Sequence, residues 1–556
     1  MVTVLVFSWF ALLPDEYAQL GKHIAGGSAF ISNFVLYFES GYWDTASNYK
    51  PLLHLWSLGV EEQFYIIFPV ILFVLHKLGL RKSLFIVLLF IVSFALNLYY
   101  YKADMTLDFY MPFTRFWELM AGSMIAIAQR NKLTFFQSDY KPTLKTILSF
   151  VGFALLIAAI ISSRGGSFPG INALAPVLGA SLLILAGGSS ILNRYLFSLK
   201  PIVFVGLISY PLYLWHWSLI SYARIITGDD VSTMPIFKWI LIAIAVLLSI
   251  LTYYFIERPI RFSQNRRGLK AVILVVLLVI VGAMGIAVYY KKGIEDRWVV
   301  REMGGGGSLA LSEMQEPRPT FNINCLERYG FSGFRKGEWS CELTDVNGSS
   351  TTAIVGNSHA HTAYRSIAEY NAKQGVNTVL FAHFSAHDII TDDRSSERYV
   401  EGVNEQTFLS LANDKNINKV FIIISHSGPD IRNKFQAAID RISMEGREIF
   451  IVEPNPYLPH HIKEYIFTHP FWKSYKNILY RTRSKMLDRR KDSREMFAEL
   501  RGVTIIYTID VFCPIDRCLF ANERGLPLYM DYTHLSINTG GNFLIEKALK
   551  PYLDKQ

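Results

Sequence analysis

Residues 270–290 read KAVILVVLLVIVGAMGIAVYY, and the chain changes character across them. A helix rises about 1.5 Å per residue, so ~20 apolar residues cross the hydrocarbon of a bilayer. Upstream, runs of that kind recur at 57–75, 83–101, 111–128, 144–163, 172–189, 201–222 and 236–256. With a shorter run from Met1 to Leu13, they predict about nine crossings. Downstream, short β-branched runs alternate with helix-length stretches, which is the pattern of a parallel sheet covered on both faces. The expected fold is a polytopic α-helical membrane domain over 1–290, a linker over 291–324, and a soluble α/β/α domain with a parallel sheet over 325–556.

Composition agrees, with 51% hydrophobic residues and only 18% charged ones. The net charge of +9 does not point to nucleic acid, because much of it sits in short connections between apolar runs. These are 76–82, Arg130 and Lys132, Arg194 and Lys200, and Arg258 to Lys270. They are alternate connections, as cytoplasmic loops should be under the positive-inside rule. The last span then leads outward, and the lipid bilayer is the first partner the sequence implies.

All four cysteines, Cys325, Cys341, Cys513 and Cys518, lie beyond that span, where disulfides persist. Short spacings favour Cys325 with Cys341 and Cys513 with Cys518. A zinc site is the rival reading, but neither pair has C-x-x-C spacing and nothing else suggests metal. Gly304 to Gly307, with Pro317 and Pro319 beyond, mark the linker as a flexible tether. Met1 opens directly on an apolar run with no basic region ahead of it, so a secretory signal is not expected. Either the chain begins with an uncharged half-span or it is the remainder of a longer one.

Ionisable residues within spans are costly and are functional candidates for that reason. His54, Ser57, Glu61 and Tyr65 share one helical face, with Glu62 beside it, and that face is expected to point into the bundle. Arg115 and Glu118 stand three residues apart and can neutralise each other, as a structural pair or as a binding element. Ser209, Tyr213 and His216 line a third face, where His216 could equally be a hydrogen-bonded packing residue. Glu257 lies at a span end beside Arg258 and Arg261, and Arg261 reads as an ordinary cytoplasmic anchor. The segments carrying these residues, HLWSLGVEEQFY, FYMPFTRFWELMAG, ISYPLYLWHW and FIERPIR, resemble successive landmarks of the acyltransferase-3 membrane family. The resemblance implies an integral-membrane O-acyltransferase that takes acetyl from cytoplasmic acetyl-CoA. The family's usual opening, two further spans with a histidine motif and a basic segment, has no counterpart ahead of Met1.

In the outer half, apolar runs at Thr352 to Val355, Val376 to Ala382, Lys419 to Ser425, Ile449 to Glu453 and Val503 to Ile509 are the expected strands. Ligands bind beyond the carboxyl ends of such strands, and Ser358 lies just past the first. A nucleophilic serine needs a base, and the base needs an orienting group. Asp531 and His534 supply both in one late segment. The strand, G-N-S-H, helix and final D-x-x-H-L-S resemble the SGNH hydrolase family, with Asn357 where Asp is usual. By that resemblance Ser358 is the nucleophile, His534 the base and Asp531 the orienting acid, with the Ser358 N–H in an oxyanion hole. The family's later oxyanion Gly and Asn have no clear counterpart, since the third strand ends Ser425-His426-Ser427-Gly428. His359 and His361 read as pocket-lining, packing or surface residues, and His383, His387, His460, His461 and His469 as loop residues without a role.

The order of the two domains resembles that of bacterial O-antigen and peptidoglycan O-acetyltransferases. It implies a plasma-membrane enzyme with its C-terminal domain outside. Acetyl would pass through the bundle to Ser358 and on to an envelope-polysaccharide hydroxyl, with no tightly bound cofactor. An outer carbohydrate esterase on a membrane anchor and a non-catalytic glycan transporter are the alternatives.

Overall fold

The computed structural model describes residues 1–40, 49–130, 142–162, 168–227, 235–262, 267–302, 313, 322–331, 339–383, 403–423, 432–444, 446–459, 462 and 482–554. They fall into two compact units, one up to Glu295 and the other from Asp296 onward.

The first unit is helical. Six of its described helices are long and apolar enough to cross a membrane: Leu55–Lys77, Lys82–Ala103, Pro142–Ser162, Lys200–Ile226, Ile236–Phe262 and Arg267–Tyr290. The other expected crossings take different forms. Val2–Ala11 and Gly170–Ala186 are apolar but shorter, the latter opening with a 3-10 turn. Pro112–Arg130 is a helix of 19 residues whose Arg115, Glu118 and small polar residues dilute its apolar character. Pro14–Ser28, too polar to stand out as a span, is also helical, capped at its start by Glu16 reaching back to the Leu13 N–H at 3.1 Å.

Glycine sets two of the helix contacts. A Cβ on Gly21 would lie 2.5 Å from the Gly285 carbonyl oxygen, and one on Gly152 would lie 2.7 Å from that of Gly179. At these points Pro14–Ser28 meets Arg267–Tyr290, and Pro142–Ser162 meets Leu174–Ala186, backbone to backbone. Where lipid replaces water outside, such close packing takes over from hydrophobic burial as the force holding helices together.

Part of the stretch read as a tether is folded. Lys291 to Asp296 form turns and Trp298–Glu302 a short helix with Val299 fully buried, while Gly304 to Gly307 lie outside the described residues.

The second unit is built on a sheet of six strands, β1 (Trp339–Thr344), β2 (Thr351–Gly356), β3 (Asn377–His383), β4 (Ile417–Ile423), β5 (Glu448–Val452) and β6 (Thr504–Ile506). Their order is β1-β3-β2-β4-β5-β6, parallel from β3 to β6, with β1 antiparallel on the edge. The expected strands are all present, and β1 is an addition. Its half-polar run, held on one side only, carries little periodicity, and it brings Cys341 to its disulfide with Cys325. Cys513 pairs with Cys518, so both expected pairings are found.

Successive residues of each strand point to opposite faces, and both faces are covered. Ile354, Leu380, Phe421 and Phe450 pack with Ile367 and Leu549 on one side. Val355, Phe381, Ile422 and Ile451 pack with Phe408 and Phe435 on the other. β2 is buried along its whole length, and whatever follows its carboxyl end is held by a fully enclosed strand.

Candidate active site

β2 ends at Gly356, in register with Ala382 of β3 and Ile423 of β4. A Cβ at this position would stand 1.8 Å from the Ile423 carbonyl oxygen, so only glycine fits between the neighbouring strands. Asn357 then caps the helix Ser358–Ala372, its Oδ1 accepting the His359 N–H at 3.1 Å. Asparagine is as good an N-cap as aspartate, and it makes the turn without adding a buried charge. Ser358 opens the helix and is 1% exposed.

The late segment arrives at the same point. Ser536 Oγ donates to the Pro527 carbonyl at 2.7 Å and accepts the Gly540 N–H at 2.8 Å, closing the loop around itself. Ser366, on the helix that Ser358 begins, donates to the Ile537 carbonyl and fastens that loop to the helix. His534 Nε2 lies 2.8 Å from Ser358 Oγ, and its Nδ1 lies 2.6 Å from Asp531 Oδ2. Asp531 Oδ1 accepts the backbone N–H groups of Thr533 and His534 at 2.7 and 2.8 Å. One carboxylate oxygen thus shapes the turn and the other receives the imidazole N–H. With Nδ1–H donating, Nε2 is the nitrogen left to accept the serine proton.

Burial alone would raise the Asp531 carboxyl. The hydrogen bond and charge of His534, with the two backbone donors, instead pull it down to about 2. The carboxylate is therefore ionised across the neutral pH range.

Two further residues adjoin this chain. His359 is buried, its ring centroid 4.4 Å from that of His534. Asn455 follows the carboxyl end of β5 and directs its amide toward His359 Nδ1 at 3.5 Å. Nothing in the spacing marks Asn455, although its place just past a strand's carboxyl end does. Behind it, the fully buried carboxylate of Glu453 is held by Arg494 at 2.6 Å and by the Ile509 N–H at 3.1 Å. His361 sits 3.2 Å from Glu342 on the edge strand. The segment 425–428, His387, His426, His460, His461, His469 and the His383 side chain lie outside the described residues.

The first unit also joins residues far apart in sequence. Tyr213 Oη lies 2.6 Å from Ser57 Oγ and donates to the His54 carbonyl. The His54 ring is 5.2 Å from that of Tyr213 and 6.0 Å from that of His216. Both His54 ring nitrogens are buried. His216 is tied to the Tyr213 carbonyl at 2.7 Å. Ser209 is exposed and stands apart from this group.

Glu61 is exposed, Tyr65 is 57% exposed, and Glu62 is half-buried. At Gly59 the helix comes close to its neighbour, since a Cβ there would lie 3.1 Å from the Asn33 side chain and 3.2 Å from the Phe30 carbonyl. The buried face there is Leu55, Gly59, Val60 and Phe64.

Arg115 and Glu118 pair at 2.5 Å, and the guanidinium lies 5.3 to 5.9 Å from the ring centroids of Trp56, Phe109 and Phe168. Glu257 pairs with Arg261 at 3.1 Å. Sequence reading passed over Glu39, whose carboxylate is met by Lys22 at 2.8 Å, His23 at 2.6 Å and Lys50 at 3.3 Å. Among the described residues no group of His, Cys, Asp and Glu could hold a metal ion.

Comparison with known proteins agrees with this division of the chain. Residues 4–255 match the acyltransferase domain, and residues 324–544 match the SGNH domain that is fused to such domains. The chain is thus a fusion of a membrane acyltransferase domain with a C-terminal SGNH domain. Among its curated relatives are the O-acetyltransferase OatA proteins of Staphylococcus aureus strains NCTC 8325, COL and MRSA252. Each is 29% identical over 278 residues, covering 46% of this chain and 43% of the relative. The matched part is less than half the length of those relatives. No solved structure matches the chain.

Proposed function

We propose that this chain is a membrane O-acetyltransferase that moves acetyl from cytoplasmic acetyl-CoA to hydroxyls of a bacterial cell-envelope polysaccharide, such as lipopolysaccharide O-antigen. The observation that carries the reading is the hydrogen-bonded series Ser358, His534, Asp531, buried at the end of the central strand. Its membership of a chain that also carries an acyltransferase domain favours transfer over hydrolysis.

In this reading the helical unit sits in the plasma membrane and passes the acetyl group outward. The cluster of His54, Ser57, Tyr213 and His216 and the Arg115–Glu118 pair are its candidate groups, with Glu61, Glu62 and Glu257 as secondary ones. Ser358 Oγ attacks the acyl carbonyl as His534 Nε2 takes its proton, and the leaving group departs with a proton returned by His534. The Ser358 N–H, at the positive end of its helix, faces the developing oxyanion. A sugar hydroxyl then gives its proton to His534, attacks the acyl-serine and releases Ser358.

The test is NMR of envelope-polysaccharide O-acetylation in a deletion strain carrying this chain, its Ser358→Ala variant or an empty vector. Acetylation present with the chain and lost with Ser358→Ala is the expected result. Acetylation that falls when the chain is present would indicate an esterase instead, and no difference between the chain and Ser358→Ala would remove the serine from the mechanism.

A further inference from the structure

The serine, histidine and aspartate account for one edge of the His534 ring but not for its flat face. Hydrogen bonds at Nδ1 and Nε2 set the ring's reach, and contact on its face sets its tilt. His359 makes that contact: its ring lies 4.4 Å from that of His534, tilted by 31°. His359 is itself fixed, through its backbone N–H on Asn357 at 3.1 Å and through its Nδ1 facing the Asn455 amide at 3.5 Å. It is 4% exposed. The charged and titratable groups that face it are His534, Asp531 and Arg490. Burial, reinforced by His534 and Arg490, pushes its imidazole well below the ordinary value, and Asp531 opposes this only in part.

We propose that His359 is a positioning residue for acyl transfer, a ring packed at a 31° tilt against the face of His534 that keeps Nε2 on Ser358 Oγ while His534 takes up and returns the proton. A neutral ring does not oppose the imidazolium that forms at His534, whereas a second cation at this distance would. The proposal rests on the reading of Ser358 as the acyl-carrying nucleophile. The step itself is unchanged: the Oγ–carbonyl bond forms, the bond to the leaving group breaks, and the serine proton leaves with that group by way of His534.

The experiment measures kcat and KM of the full chain in detergent with p-nitrophenyl acetate, for the wild type and for Ser358→Ala, His359→Phe and His359→Ala, with thermal unfolding of each. His359→Phe keeps the flat face and should retain kcat within about threefold, while His359→Ala should lose about 100-fold in kcat with KM little changed, the scale of a small misplacement of a reacting group. Should His359→Ala fail to fold, His359→Leu fills the volume without a flat ring and must show the same loss. Wild-type kcat in His359→Ala, a loss confined to KM, or a His359→Phe variant as impaired as His359→Ala would each overturn the proposal. Turnover remaining in Ser358→Ala would overturn the reading beneath it, so the two failures are distinguishable.

Discussion

Asp531 illustrates how one side chain can serve fold and chemistry together. Its Oδ1 holds the turn and its Oδ2 holds His534. Replacing it with asparagine preserves the shape but favours the wrong imidazole tautomer, so acyl turnover should fall on the order of 10⁴-fold with KM little altered. The same carboxylate links stability to pH. Its folded value, about 2, lies below its ordinary value of 3.8, so its stabilisation is complete above the ordinary value and is lost as pH falls toward the folded one. Melting curves of wild type and Asp531→Asn should therefore differ at neutral pH and converge in strong acid. A constant difference down to the lowest pH would contradict the assignment.

At the level of elements, the site depends on a strand that admits no side chain at its end. Gly356→Ala forces a methyl into the Ile423 carbonyl, so β2 must separate from β4. We expect a loss of about 3 kcal/mol or more, at the upper end of overpacking costs, and loss of turnover through displacement of Ser358. A variant melting like the wild type would contradict the contact. The disulfide Cys325–Cys341 joins the helix Ile323–Arg328 to the edge strand β1 across a separation of 16 residues. Chain-entropy arguments give about 3 kcal/mol for a loop of that size, so Cys325→Ser with Cys341→Ser should lower the melting temperature. Ser358 chemistry should survive, because β3 stands between β1 and β2, the strand that presents Ser358. In the helical unit, Gly21→Leu should disrupt the meeting of Pro14–Ser28 with Arg267–Tyr290, read as reduced yield of folded chain from membranes.

For the whole molecule, the proposed function requires the two units to work in different solvents. The six described helices of spanning length predict that the chain stays with the membrane after alkaline carbonate extraction. The proposed sidedness predicts that a reporter after Gln556 is active only outside the cytoplasm and that both disulfides form there. A cytoplasmic reporter signal would reverse the topology and remove the relay.

What the sequence by itself determined follows from short-range rules. Apolar length marks spans, β-branched runs mark strands buried on both faces, and cysteine spacing selects neighbours in the chain. The pairing of Ser358 with Asp531 and His534 was legible because each motif is local and a wound sheet gathers loops at one end. Tertiary structure alone decided which faces meet. Helical periodicity grouped His54 with Ser57, but only the fold brought Tyr213 of a distant helix against both. It likewise placed His359 and Asn455 beside His534, since stacking and amide contacts between separate segments leave no periodic signal in the chain. β1 went unread for a related reason: an edge strand is held by a partner on one side, and that partner lies outside its own sequence.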